Sequence, residues 1–157
     1  MELIEGQTLN DAIAAGSTCW ACGPARTDGL LLRYLPEGPG VGTAWYADPH
    51  YHGAPGRLHN GVVAALLEEV AGWAAYRLLT DAGISLAGLA IAELTVEYRQ
   101  PVPTEVWVAL YGEAAPVSDG LAHTRAELRV DDVVLATAKC TLRTGQELTC
   151  PPESRSR

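Results

Sequence analysis

From Gly61 the chain reads Gly-Val-Val-Ala-Ala-Leu-Leu-Glu-Glu-Val-Ala-Gly-Trp-Ala-Ala-Tyr76, apolar at nearly every position except two adjacent carboxylates. Such a run, without the alternation of a strand, predicts a helix buried on most sides over residues 60–81. At ~1.5 Å per residue it would be ~30 Å long, the diameter of a small domain. Gly83 and Gly88 mark its exit. Beyond it, residues 89–98, 105–113, 122–130 and 133–143 are alternating or β-branched, with Asp131-Asp132 as a tight hairpin between the last two. They predict four successive strands in an antiparallel meander. Upstream, residues 29–35 and 41–47 flank Pro36-Glu-Gly-Pro-Gly40, which reads as a hairpin. Residues 7–16 read as a short helix, capped by Thr8 or Asn10 and stopped by Gly16. Residues 146–157, with Pro151-Pro152 and Ser-Arg-Ser-Arg, have nothing to bury and are expected to be disordered.

These elements imply an α+β architecture, a long buried helix beside a curved antiparallel sheet of five or six strands. Residues 1–18 form a helical lead-in, 19–143 a single domain and 144–157 a tail. At 157 residues and 48% hydrophobic, the chain suits one core better than two. A sheet wrapped around one helix leaves edge strands in need of cover, so a homodimer is expected, with a dimer of dimers open. A net charge of -8, with only 11 basic residues, argues against nucleic acid or an anionic membrane as partner. The apolar stretch 62–79 is interrupted by Glu68, Glu69 and Arg77, which marks a core helix and not a membrane span. The amino terminus carries no secretory pattern, so reduced thiols in a cytoplasm are expected.

Carboxylates within a greasy helix must be paired or put to chemical use. Residues three and four positions from Glu68 are Ala64, Ala65, Ala71 and Gly72, all small, which leaves a groove around its side chain. Glu69, about 100° away, has Leu66 and Trp73 as neighbours. The helix start offers backbone N–H groups at Asn60, Gly61 and Val62 that can hold an oxyanion, and Gly61 allows close approach. His59 and Glu68 are nine residues apart, ~13.5 Å along a helix, too far for both ends to reach one carbonyl carbon. Two antiparallel helices from different protomers would meet that need. Paired sites at a dimer interface are therefore expected.

The chain resembles the hot-dog fold acyl-CoA thioesterases of the PaaI-like type. Their signature, His-Gly-Gly at a helix start with Asp or Glu nine residues after the His, is matched by His59-Asn60-Gly61 and Glu68. Cys-Trp-Ala-Cys-Gly-Pro ending at Pro24, the run from Gly29 to Tyr34, and Leu94-Thr-Val-Glu-Tyr-Arg-Gln-Pro-Val-Pro103 are similar to further family patterns. The resemblance covers nearly all of residues 19–143. It implies thioester hydrolysis without a cofactor, with Glu68 as general base or nucleophile, the Asn60 or Gly61 amide gripping the thioester oxygen, and His59 shaping the turn. The sequence departs from the family at Asn60, where relatives have glycine, at Gly53, where many carry a water-orienting Asn, and at Ala90 or Ile91, where some carry a hydroxyl. These departures raise a second reading, a weakly catalytic module that binds acyl-CoA.

Other groups carry weaker signals. His50 and His52 bring to mind hot-dog dehydratases acting on 3-hydroxyacyl chains, where a His and a helix Glu pair, but the position fourteen beyond His52 is Leu66. Cys19 and Cys22 have zinc or redox spacing, yet Cys140 and Cys150 supply no second pair, so structural thiols without metal are expected. Arg57, Arg99 and Arg143 are candidate cations for coenzyme A phosphates. Gly53, Glu69, Gly72, Trp73, Arg57 and Arg99 complete the expected substrate-binding set, with Trp73 and Tyr76 on the acyl side.

Overall fold

The computed structural model describes residues 3–144. The expected tail over 146–157 lies outside them, as does Cys150. The described chain orders as helix α1 (Leu9–Ala14), strands β1 (Leu35–Glu37) and β2 (Gly40–Tyr46), a short 3-10 turn (Pro49–Tyr51), helix α2 (Asn60–Asp81), and strands β3 (Ala90–Tyr98), β4 (Trp107–Ala114), β5 (Leu121–Val130) and β6 (Val133–Arg143).

Helix α2 has the expected bounds because its ends carry strong local signals. His59 caps the start, and at the far end Gly83 takes φ +69°. There the Gly83 and Ile84 N–H groups bond back to the Thr80 and Leu79 carbonyls, the paired pattern of a Schellman stop. The helix buries Val63, Leu66, Leu67, Val70, Ala71, Trp73, Ala74, Ala75 and Leu79 between the sheet and the amino-terminal segment. Small residues facing it on β5 and β6, among them Ala122, Ala126, Ala136 and Ala138, allow a close approach. At Gly112 on β4 a Cβ would stand 2.5 Å from the Val70 carbonyl oxygen, so only glycine fits where helix and sheet touch.

The six strands form one antiparallel sheet in the order β1-β2-β4-β5-β6-β3. This corrects the four-strand meander. Strands β4, β5 and β6 do follow one another, but β3 pairs with β6 at the far edge, through Ala90↔Arg143 to Tyr98↔Ala136. The long link after β3 passes beneath the start of α2, where Leu58 N–H donates to the Val102 carbonyl and Glu105 N–H to that of Ala47, and it delivers β4 to β2. A long helix wrapped by such a sheet is the hot-dog fold. The β5–β6 hairpin turns at Asp131 and Asp132, both with positive φ, as two-residue turns require.

The upstream hairpin is shorter than expected. Residues 30–34 keep an alternating burial, with Leu30, Leu32 and Tyr34 inward, but are not a sheet strand. Their N–H groups instead bond to the Trp20 and Ala21 carbonyls and to Asn10 Oδ1. Leu9 and Asn10 of α1 are also buried, so the amino-terminal segment shares the core rather than preceding it.

Candidate active site

His59 organises the start of α2. Its backbone is extended, its Nδ1 accepts the Gly61 N–H at 2.9 Å, and its carbonyl accepts from Val62 and Val63. An accepting Nδ1 leaves the ring proton on Nε2. A Cβ at Gly61 would lie 3.0 Å from that Nδ1, so glycine lets the ring fold over the turn. Of the three amides expected to be free, Gly61 and Val62 are thus occupied. Only the Asn60 N–H finds no acceptor among the described residues, so of the three it alone is left to donate outward. The carbonyl of Asn60 accepts from the Tyr98 hydroxyl at 3.0 Å, tying the helix start to the end of β3.

A cleft of about 450 Å³ opens here, lined by Gly53, Arg57, His59, Asn60, Tyr98 and Arg99 among others. It unites five of the predicted site residues, four from the segment 53–60 and Arg99 from the end of β3 onward. Gly53 packs on His59, with a Cβ at that position falling 3.2 Å from the His59 Cα. Arg57 is exposed, and Arg99 pairs with Glu97 at 3.4 Å. Arg143 lies at the opposite end of β6, opposite Ala90, about 26 Å of strand from Tyr98, and does not belong to the cleft.

Glu68 lies farther along α2. It is half-buried, and with Ala64, Ala65 and Gly72 it makes a partly exposed stripe of one helix face. A Cβ at Gly72 would meet nothing within 4 Å, so space lies open beside the carboxylate. Burial first, then the neighbouring charge of Glu69, pushes the Glu68 carboxyl above the usual Glu range. Glu68 in turn adds to the burial that raises the nearby Cys140 thiol on β6 to about 11. Helix α2 lies over β4, β5 and β6 and only lightly touches β3, the edge strand on the open side.

Two expected substrate contacts face elsewhere. Glu69 turns toward the amino-terminal segment, where its Oε1 accepts from the Cys19 thiol at 3.6 Å. Trp73 is 2% exposed, stacked on Tyr34 at 5.5 Å and met edge-on by Tyr76 at 5.2 Å. Its flat faces are covered, so in this chain it is core rather than pocket lining. His50 and His52 sit on the exposed 3-10 turn, where the His52 ring contacts the Pro49 carbonyl, and neither bonds to Glu68 among the described residues.

A family model for the thioesterase superfamily matches residues 55–137, which hold the cleft except for its Gly53 side, Glu68 and most of the sheet. The chain belongs to the thioesterase superfamily. Solved structures of other members share its fold. A thioesterase superfamily protein of 24% identity superposes with a TM-score of 0.63 over 76% of this chain and 59% of its own length, so the chain spans under two-thirds of that relative. A phenylacetic acid degradation-related protein from Ralstonia eutropha is 16% identical, with a TM-score of 0.62 over 73% of this chain and 86% of that one. A mutant of the phenylacetic acid degradation protein PaaI from Thermus thermophilus is 18% identical, with a TM-score of 0.61 over 73% and 93%. Comparison with the curated proteins found no match. No helix among the described residues is long and apolar enough to cross a membrane.

Proposed function

We propose that the protein hydrolyses an acyl-CoA thioester at sites shared by two protomers. The observation that carries this reading is the half-buried Glu68, set among Ala64, Ala65 and Gly72 on the open side of α2, in a chain whose helix start leaves the Asn60 N–H without an acceptor among the described residues. Eight residues, about 12 Å of helix, separate the two, so each carboxylate must work with the partner's amide. The exposed edge of β3 supports pairing of two copies, since an unpaired strand edge recruits another strand.

In the proposed cycle, Glu68 of one protomer takes a proton from water as the oxygen bonds to the thioester carbonyl carbon. The partner's Asn60 N–H holds the resulting oxyanion, at the end of a helix whose dipole favours negative charge. Collapse breaks the carbon–sulfur bond, and the CoA thiolate leaves and takes up the proton. Arg57 and Arg99 at the cleft receive CoA phosphates.

The deciding experiment measures thiol release from a panel of acyl-CoAs by wild type and Glu68→Gln. Loss of roughly 10²–10⁴-fold in the variant is expected of a general base. Equal, background-level rates from both proteins, with acyl-CoA still bound, would establish the binding module instead. That second reading draws on Gly53, which brings no side chain to the cleft where a water-orienting group would sit.

A further inference from the structure

On the other face of α2 the chain assembles a cluster that the thioester reading leaves unused. The turn carrying Cys19 and Cys22 is held at almost every backbone position. Gly23 N–H closes it on the Cys19 carbonyl at 2.9 Å, and a Cβ at Gly23 would fall 2.5 Å from both the Cys19 nitrogen and the Ser17 carbonyl oxygen. The carbonyls of Trp20 and Ala21 accept from Leu30 and Leu32, and that of Cys22 from Asn10 Nδ2 at 2.9 Å. Two thiols are therefore fixed on one rigid turn and aimed at the middle of α2, where Glu69 meets them. The two Sγ atoms and a Glu69 carboxylate oxygen all lie within 4.8 Å of one another.

Around a tetrahedral zinc ion, with sulfur at about 2.3 Å and oxygen at about 2.0 Å, ligand atoms stand about 3.5–3.8 Å apart. The Cys19–Glu69 separation of 3.6 Å already matches, and the remaining gaps close by about an ångström at most. Two buried donors flank the cluster: the Tyr34 hydroxyl, stacked on Trp73 and without a partner among the described residues, and the Trp73 indole N–H, which has only the Cys22 sulfur to approach. Buried donors without partners are uncommon, and a thiolate or a metal-bound water would satisfy both.

We infer that Cys19, Cys22 and Glu69 form a binding site for a thiophilic divalent cation of the zinc class, clamping the amino-terminal turn to α2 one residue from Glu68. Among the described residues no fourth Cys, His, Asp or Glu joins the cluster, so the fourth position belongs to water. Uptake releases the two thiol protons as each sulfur bonds to the ion. The site stands apart from the thioester reading and survives its failure.

The test is titration of the full chain, reduced and chelator-treated, with cobalt(II) alone. One cobalt per chain, with near-ultraviolet thiolate-to-cobalt absorption that zinc abolishes by displacement, is expected. Because Cys22 is buried, the less enclosed positions carry the variants. Cys19→Ser should remove most of the absorption and Glu69→Gln should weaken binding by at least about tenfold, while Cys140→Ser and Cys150→Ser retain it. Absence of the band in the wild type, a band indifferent to Cys19→Ser, or formation of a Cys19–Cys22 disulfide in place of cobalt uptake would each overturn the assignment.

Discussion

Glu68 and Glu69 are adjacent in the chain, identical in chemistry, and placed in two different environments. Glu68 lies in a partly exposed stripe of small residues, with free space next to it at Gly72 and no partner that bonds its carboxylate among the described residues. Glu69 is engaged by a thiol from a turn fifty residues away, behind stacked aromatic rings. A helix turns about 100° per residue, so one step suffices to exchange an open face for one closed by the amino-terminal segment. Carboxylates in a buried helix thus need not share a purpose: one is left available for reaction while the other anchors a distant piece of chain.

The contrast between the two carboxylates has measurable consequences. The largest effect belongs to Glu68→Gln, which should lower thioester hydrolysis by roughly 10²–10⁴-fold yet leave the cobalt absorption intact. If that variant lost both, the two faces would not be independent. Next comes Asn60→Pro, which deletes the free N–H together with the Asn60 carboxamide, at a helix position where proline is well tolerated and where His59 already has an extended backbone; Asn60→Ala, which keeps the N–H, is its control. The proline variant should cost about 10²–10³-fold in rate with little change in stability. Mixing equal amounts of unfolded Glu68→Gln and Asn60→Pro chains and refolding them should restore about a quarter of wild-type activity, since half the dimers then hold one intact site of two. Failure to regain activity would contradict a shared site.

A smaller effect probes the Glu69 side. Asn10 is fully buried and makes three hydrogen bonds, donating to the Cys22 and Leu32 carbonyls and accepting from the Tyr34 N–H. Asn10→Ala strands those groups and should cost about 2–4 kcal/mol in chemical denaturation. The smallest effect is in pH. In chelator-treated protein, burial and the Glu69 charge raise the Glu68 carboxyl, so hydrolysis should fall as pH drops through a midpoint above the ordinary Glu value. The sign for stability is the reverse of a salt-bridged acid. The folded state binds the proton more tightly, so stability declines as pH rises from the unfolded Glu value through the raised one. A rate profile with its acid limb at or below the usual Glu range would remove Glu68 as the base.

Much of this was legible in the chain because the signals are local. The bounds of α2 follow from an apolar run and a glycine stop, and the β5–β6 hairpin from two aspartates between alternating strands. The groove around Glu68 follows from residue size at helical spacing. Residues 30–34 misled as a strand because alternating burial records only which side chains point inward, not what the backbone bonds to. The place of β3 was likewise hidden, since alternation within a strand carries no information about which neighbour it takes.

What could be read along the chain was helix α2, strands β2 to β6 and the small-residue face of Glu68, because each depends on spacing within a few residues. Tertiary structure decided that Gly61 spends its N–H on His59 while Asn60 keeps its own, that Trp73 is walled in by Tyr34, and that Glu69 meets Cys19 and Cys22. Those outcomes join residues far apart in the chain, and only the folded path of the backbone determines which of them come within a hydrogen bond's reach.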